Sequence, residues 1–223
     1  QLGVLAGAMA KIAGDVVLLA QTEVGEVMEA PAAGKGGSSA MPQKRNPVDA
    51  TLALAAARLA IGGMPVVLGA MAQEHERAAG AWQAEWAALP DLFRHTSGAV
   101  EHVRWALSGL EVDAERMRAN LTSSGGLMLS EALVMALAPR LGRHEAYRIV
   151  RTMSERATKA GKDFRQVALA DKRVRAALPA EAAERERIFD PAAYLGSTDI
   201  YIDRVLAEYR AWQSTEQGVV SDA

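Results

Sequence analysis

The chain has 223 residues, half of them apolar, with a formal charge of −2 and a pI near 6.1. It is long enough to bury one or two cores, and so even a charge balance gives no reason to expect nucleic acid or an anionic membrane surface as the main partner. Cysteine is absent, which excludes a disulfide framework, thiolate metal ligands and a cysteine nucleophile and fits the expected cytoplasmic location.

Leu2, Leu5, Met9, Ile12, Val16 and Leu19 recur at three- and four-residue steps, the seam of a helix packed lengthwise on neighbours. Gln1 leads straight into this pattern with no charged leader or cleavage site, so the sequence reads as the continuation of a longer chain. At the next seam positions stand Glu23 and Glu26: either a solvated helix end, or carboxylates of which one meets Lys44 or a loop N–H.

A glycine loop follows. Gly34, Gly36 and Gly37 permit conformations closed to other residues, and the hydroxyls of Ser38 and Ser39 come next. The far end is set up as a helix start, with Asn46 as N-cap, Pro47 at the first helical position and Asp49 in the first turn. Lys44 then lies beside unpaired backbone N–H groups, a combination that suits an anion.

Beyond Pro47 the run is rich in alanine (Ala50, Ala53, Ala55, Ala56, Ala57, Ala60), and small residues let helix axes approach closely. Gly62, Gly63 and Pro65 predict either an interruption or a kink in a continuing helix. The most apolar run, 61–72, is shorter than the roughly 20 residues of a membrane span, so no membrane partner is expected. A charged cluster, 73–77, separates this run from a third helical pattern over 81–107, with Pro90 inside it.

Asp113 caps a short helix within 110–121, and residues 123–126 break the chain. Compact helices are predicted at 127–141, 144–160, 164–170 and 172–178, and Ser197 caps a last one. Period-two patterning is absent throughout, so the fold class is all-α. The change from long to short helices divides the chain into a long-helix bundle over 1–110, a small helical domain over 111–213 and a disordered tail over 214–223. His75, His95, His102 and His144 lack metal-ligand spacing, and no metal or other cofactor is expected.

The string Gly37-Ser38-Ser39-Ala40-Met41-Pro42-Gln43-Lys44-Arg45-Asn46-Pro47 resembles the signature of the fumarase/aspartase superfamily, G-S-S-x-M-P-x-K-x-N-P. The resemblance implies a central long-helix domain, a small C-terminal helical domain and a homotetramer whose long helices merge into one bundle. It implies too that Ser38 moves a proton at a carbon beside a carboxylate of a small polycarboxylate substrate. Such a step forms an aci-carboxylate dianion, which needs donors aimed at it; Lys44, Asn46 and the helix N-terminus are the candidates. Ser38 would need cation and backbone donors and solvent exclusion to act as a base. Ser39 is either a supporting donor or a hydroxyl that closes a turn. Arg77 is either a second substrate cation or a surface partner of Glu74 or Glu76.

Within the superfamily, 73–86 is similar to the Q-E-H-E-R…G-x-W-x-A-E-W pattern of bacterial 3-carboxy-cis,cis-muconate cycloisomerases. Adenylosuccinate lyases carry a serine and an arginine where Trp82 and Trp86 stand, and two indoles cannot replace those groups in phosphate binding; they would shrink the pocket. The stretch 109–121 is similar to the cycloisomerases as well, but related lyases share parts of it. The resemblance thus implies lactonisation of a muconate in aromatic acid breakdown, with a histidine general acid from a segment before Gln1. A fumarate-eliminating lyase and a non-catalytic helical assembly module are the alternatives.

Overall fold

The computed structural model describes residues 1–31, 36, 37, 41 and 45–220, except for the side chains of 215–220. These form two units, Gln1–Asn120 and Leu121–Ala223. Ser38, Ser39 and Lys44 lie outside the described residues.

Alanine and leucine favour helix, and the first unit is built on three long ones, α1 (Leu2–Leu19), α2 (Val48–Ala70) and α3 (Ala81–Leu107). In α2 the buried residues Ala50, Ala53, Ala57 and Ala60 recur at three- and four-residue steps and form one face of small side chains. That face lets α3 lie close along α2, with α1 packed on both. Leu92, Thr96, Ala99, Val103 and Ala106 are the matching buried set of α3. α2 continues through Gly62, Gly63 and Pro65, so of the two readings of that region the continuing helix holds.

The continuity changes one expectation. α1 and α2, at 18 and 23 residues with a mean hydropathy of 1.8 over an 18-residue window, are long and apolar enough to cross a membrane by length and composition. Counting only 61–72 missed this, because Pro65 and the glycine pair do not end the helix. Within the single chain only 17% of either window is buried.

Two short strands interrupt the helical pattern: β1 (Val27–Met28) pairs antiparallel with β2 (Glu111–Val112), Val27 opposite Val112. α4 (Ala114–Thr122) follows, its first turn capped by Asp113, whose carboxylate accepts from the Arg116 N–H at 2.8 Å. The Arg116 guanidinium donates to the carbonyls of Glu23 and Val24, and the Asn120 amide donates to Val24 O and to the Glu26 carboxylate. These ties hold 111–120 to the first unit. The boundary therefore falls after Asn120 rather than after residue 110. Glu26 is spent on Asn120, and both Glu23 and Glu26 lie beyond the end of α1.

The second unit begins with turns at Gly125 and Gly126, both at positive φ. A 3-10 turn (Leu127–Leu129) leads into α5 (Ser130–Leu141), then come α6 (Arg143–Ala160), α7 (Phe164–Ala170) and α8 (Lys172–Ala177). Their core holds Leu133, Leu137, Ile149, Met153, Phe164 and Val174, all nearly or fully buried. Asp163 and Asp171 cap α7 and α8 by accepting backbone N–H bonds. The Arg173 guanidinium beside Asp171 holds that carboxyl below its usual range. Sequence reading missed α9 (Ala182–Ile188), a polar helix with Ile188 its buried residue, and a 3-10 turn at Pro191–Tyr194. α10 (Thr198–Val220) starts after Ser197 and runs past Ser214, so a tail disordered from 214 onward is corrected: the residues after Ser214 continue the helix as far as Val220.

Candidate active site

The neck of the signature loop is built from residues 36 and 46. Both the Asn46 backbone N–H and its side-chain amide donate to Gly36 O, at 3.0 and 3.1 Å. Gly36 sits at φ 75°, and a Cβ there would lie 3.0 Å from Asn46 O, so this closure requires glycine. The two ends of the loop are thereby tied, which fixes where its intervening residues leave and return.

Asn46 does not cap α2. The residue at the cap position is Pro47, no side-chain cap bond is made there, and the Asn46 amide Nδ2 donates to Gly36 instead. The accepting role falls to Glu29, whose carboxylate takes the N–H groups of Asp49 at 3.2 Å and Ala50 at 2.8 Å. The helix N-terminus expected to serve a substrate anion is thus occupied by the protein's own carboxylate. Thr51 Oγ1 adds a bond to Pro47 O at 2.7 Å.

Arg45 is committed in the same way. Its guanidinium donates to Glu111 Oε2 at 2.8 Å and to Glu29 O at 2.5 Å. The hydrogen bond to Arg45 holds the Glu111 carboxyl below the usual carboxylate range and raises Arg45 in turn. Beside this assembly lies an open cleft of about 1090 Å³, bordered by Gln21, Thr22, Glu23, Met41, Asn46 and Thr51 among others. Its lining also includes the apolar Val17, Ala20, Met28, Val48 and Leu52.

Behind α2 the Asp49 side chain is buried, and His102 Nδ1 stands 3.0 Å from its Oδ1. The Trp105 ring meets the His102 ring edge-on, with 5.2 Å between centroids. Glu29 and the Asp49–His102 pair are what sequence reasoning missed, since each depends on side chains brought together across 21 or 53 residues of chain.

Arg77 lies elsewhere. It stacks over Trp82, 5.6 Å from the ring centroid, and Trp82 meets Trp86 in a T-shaped pair at 5.3 Å. No ion pair of Arg77 with Glu74 or Glu76 occurs among the described residues. Arg77 follows the C-terminal end of α2 and Asn46 precedes its N-terminal end; 23 residues of helix at about 1.5 Å each separate the two ends by roughly 35 Å. One copy of the chain does not bring these two site candidates together. Among the described residues no group of His, Asp and Glu could hold a metal ion.

Glu29→Ala is expected to cost about 1 kcal/mol of stability, the usual size of a lost helix cap, read as a lower urea midpoint at unchanged m. An unchanged midpoint would mean that water replaces this cap without loss.

A model of the lyase family matches residues 1–62 and a model of the adenylosuccinate lyase C-terminus matches 126–205. Over nearly its whole length the chain is similar to enzymes of the fumarase/aspartase superfamily. It is 46% identical over 210 residues to a 3-carboxy-cis,cis-muconate cycloisomerase of Pseudomonas aeruginosa, covering 94% of this chain and 45% of that protein. The crystal structure of a 3-carboxy-cis,cis-muconate lactonizing enzyme from Pseudomonas putida superposes with a TM-score of 0.81 at 42% identity, over 95% of this chain and 47% of that one. A nitrosuccinate lyase of Streptomyces davaonensis is 45% identical over 202 residues, 91% of this chain and 42% of that protein. The chain spans about half the length of the curated relatives it matches.

Proposed function

We propose that the full-length protein is a cycloisomerase that converts 3-carboxy-cis,cis-muconate to 4-carboxymuconolactone in the protocatechuate branch of aromatic acid catabolism, the β-ketoadipate route, in the cytoplasm. The observation that carries this reading is the match at 46% identity across nearly the whole chain to a relative named for that reaction. A substrate carboxylate oxygen forms a C–O bond to the diene, and a proton arrives at the carbon beside another carboxylate. In the reverse sense that proton is removed through an aci-carboxylate intermediate, so the residue that handles it and the donors that hold the dianion govern both directions.

Ser38 handles the carbon proton. Lys44 supplies the cation, because Arg45 is engaged by Glu111 and Glu29 and the α2 N-terminus by Glu29. Ser39 and the remaining Asn46 amide hydrogen are neutral donors. A lyase acting on a succinate derivative is the second reading, favoured by the nitrosuccinate lyase at nearly equal identity. Loss of muconate absorbance on lactone formation supports the first; fumarate release from a succinyl adduct without lactonisation supports the second, and neither activity in the full-length protein leaves a helical assembly module.

The assembly we propose is a homotetramer, with no nucleic-acid or membrane partner. Leu52, Leu59, Ile61 and Leu68 of α2 and Trp86 and Phe93 of α3 are exposed in the single chain, an apolar surface that neighbouring copies would cover. The same contact explains α1 and α2 without a bilayer.

Lys44→Met is expected to raise KM and lower kcat, since it removes a charge from a site that holds a tricarboxylate in the ground state and a further charge in the intermediate. Steady-state kinetics check this, and an unchanged KM would rule out direct contact.

A further inference from the structure

We infer that the cavity lined by α6, α7 and α8 binds a small organic polycarboxylate. It lies wholly within the second unit and has a volume of about 570 Å³. Its cations are Arg156 of α6, Lys162 of the turn that follows, and Lys172 and Arg173 at the start of α8. Four cations thus share the lining with one carboxylate, that of Asp171, and this carboxylate is spent. It accepts the backbone N–H groups of Arg173 and Val174 and pairs with the Arg173 guanidinium at 3.1 Å.

The side chains of Arg156, Lys162 and Lys172 make no hydrogen bond or ion pair among the described residues. Carboxylates close by in the chain are engaged elsewhere: Glu155 with Arg151, Glu145 with Arg148, and Asp163 as the cap of α7. Three uncompensated cations around one cavity repel one another, and an anion placed among them relieves that repulsion. A merely solvated charged face would need no depression beneath it. Here the lining reaches the fully buried Met153 and the half-buried Val167, both part of the core of the unit. Inorganic phosphate, hydrated on every side, has no use for such a lining. A carbon skeleton bearing two or three carboxylates covers the apolar surface while its charges meet the cations, and the Gln166 amide adds a neutral donor.

Hydrogen exchange over residues 160–173 of the full-length protein is the readout, with tricarballylate, a saturated tricarboxylate that cannot lactonise, as the probe. Binding is expected to slow that exchange saturably, by about tenfold at ten times the midpoint concentration. Lys162→Gln combined with Lys172→Gln removes two charges from side chains that hold no other described residue, so the fold is kept. One exposed ion pair is worth at most about fivefold, and the double variant is expected to raise the midpoint about tenfold. Lys44→Met leaves the midpoint unchanged, which separates this cavity from the proposed substrate site, and the result does not depend on whether the protein turns over a muconate. Absence of slowing at millimolar probe overturns the inference, as does an equal midpoint in the double glutamine variant or loss of the effect in Lys44→Met. Inorganic phosphate that slows exchange as strongly as tricarballylate at equal concentration overturns the polycarboxylate assignment, because the apolar lining would then contribute nothing.

Discussion

Ser38→Ala is expected to abolish turnover of the full-length protein, lowering kcat by about 10²- to 10⁴-fold, the usual contribution of a positioned proton-transfer group, with substrate affinity within a few-fold. The hydroxyl is small and uncharged, so its loss removes little ground-state binding to a polycarboxylate. The lysine and amide donors remain, and the neck formed by Gly36 and Asn46 still sets the loop's exit and return. What goes is the group that carries the proton, and no neighbouring hydroxyl substitutes unless Ser39 can rotate into its place. Ser39→Ala therefore serves as the control, with a smaller loss expected from a supporting donor. Turnover of Ser38→Ala near that of the parent protein would sink the assignment of Ser38.

Much of this molecule is legible in its sequence. Leucine and alanine at helical spacing place α1, α3 and the start of α2 within a residue or two, because each helix buries a continuous face and local periodicity reports that burial directly, whereas the end of α2 was left open by Gly62, Gly63 and Pro65. Asp113 announces a helix start by a mechanism confined to neighbouring residues. The failures are non-local. Asn46 has the chemistry of an N-cap, but its amide is drawn to Gly36 across the loop, and Glu29, with nothing in its surroundings to mark it, becomes the cap. The unit boundary shifted because Arg116 and Asn120 reach back over 90 residues to Val24. α9 escaped because a short helix of charged residues with little to bury carries almost no periodic signal.

Mixing two impaired variants is expected to restore activity. Asn46 and Arg77 stand at opposite ends of α2, roughly 35 Å apart by helix rise, whereas a muconate tricarboxylate is only about a third of that length. If both the loop and Arg77 serve the substrate, they meet at one site only when supplied by different copies. Arg77→Ala removes a charge-assisted partner worth about 1.5–3 kcal/mol, a loss of roughly 10- to 100-fold in kcat/KM. Ser38→Ala is expected to be inactive as argued above. After mild dissociation and random reassembly of an equal mixture of the two, about a quarter of the sites draw an intact loop from one subunit and an intact Arg77 from another. Activity should then approach a quarter of that of the unaltered protein and exceed that of either variant reassembled alone. Activity no higher than the average of the two variants, in tetramers verified by mass to contain both, would mean that the loop and Arg77 do not share a site across subunits. A monodisperse monomer with full activity would overturn the shared site and the tetramer together.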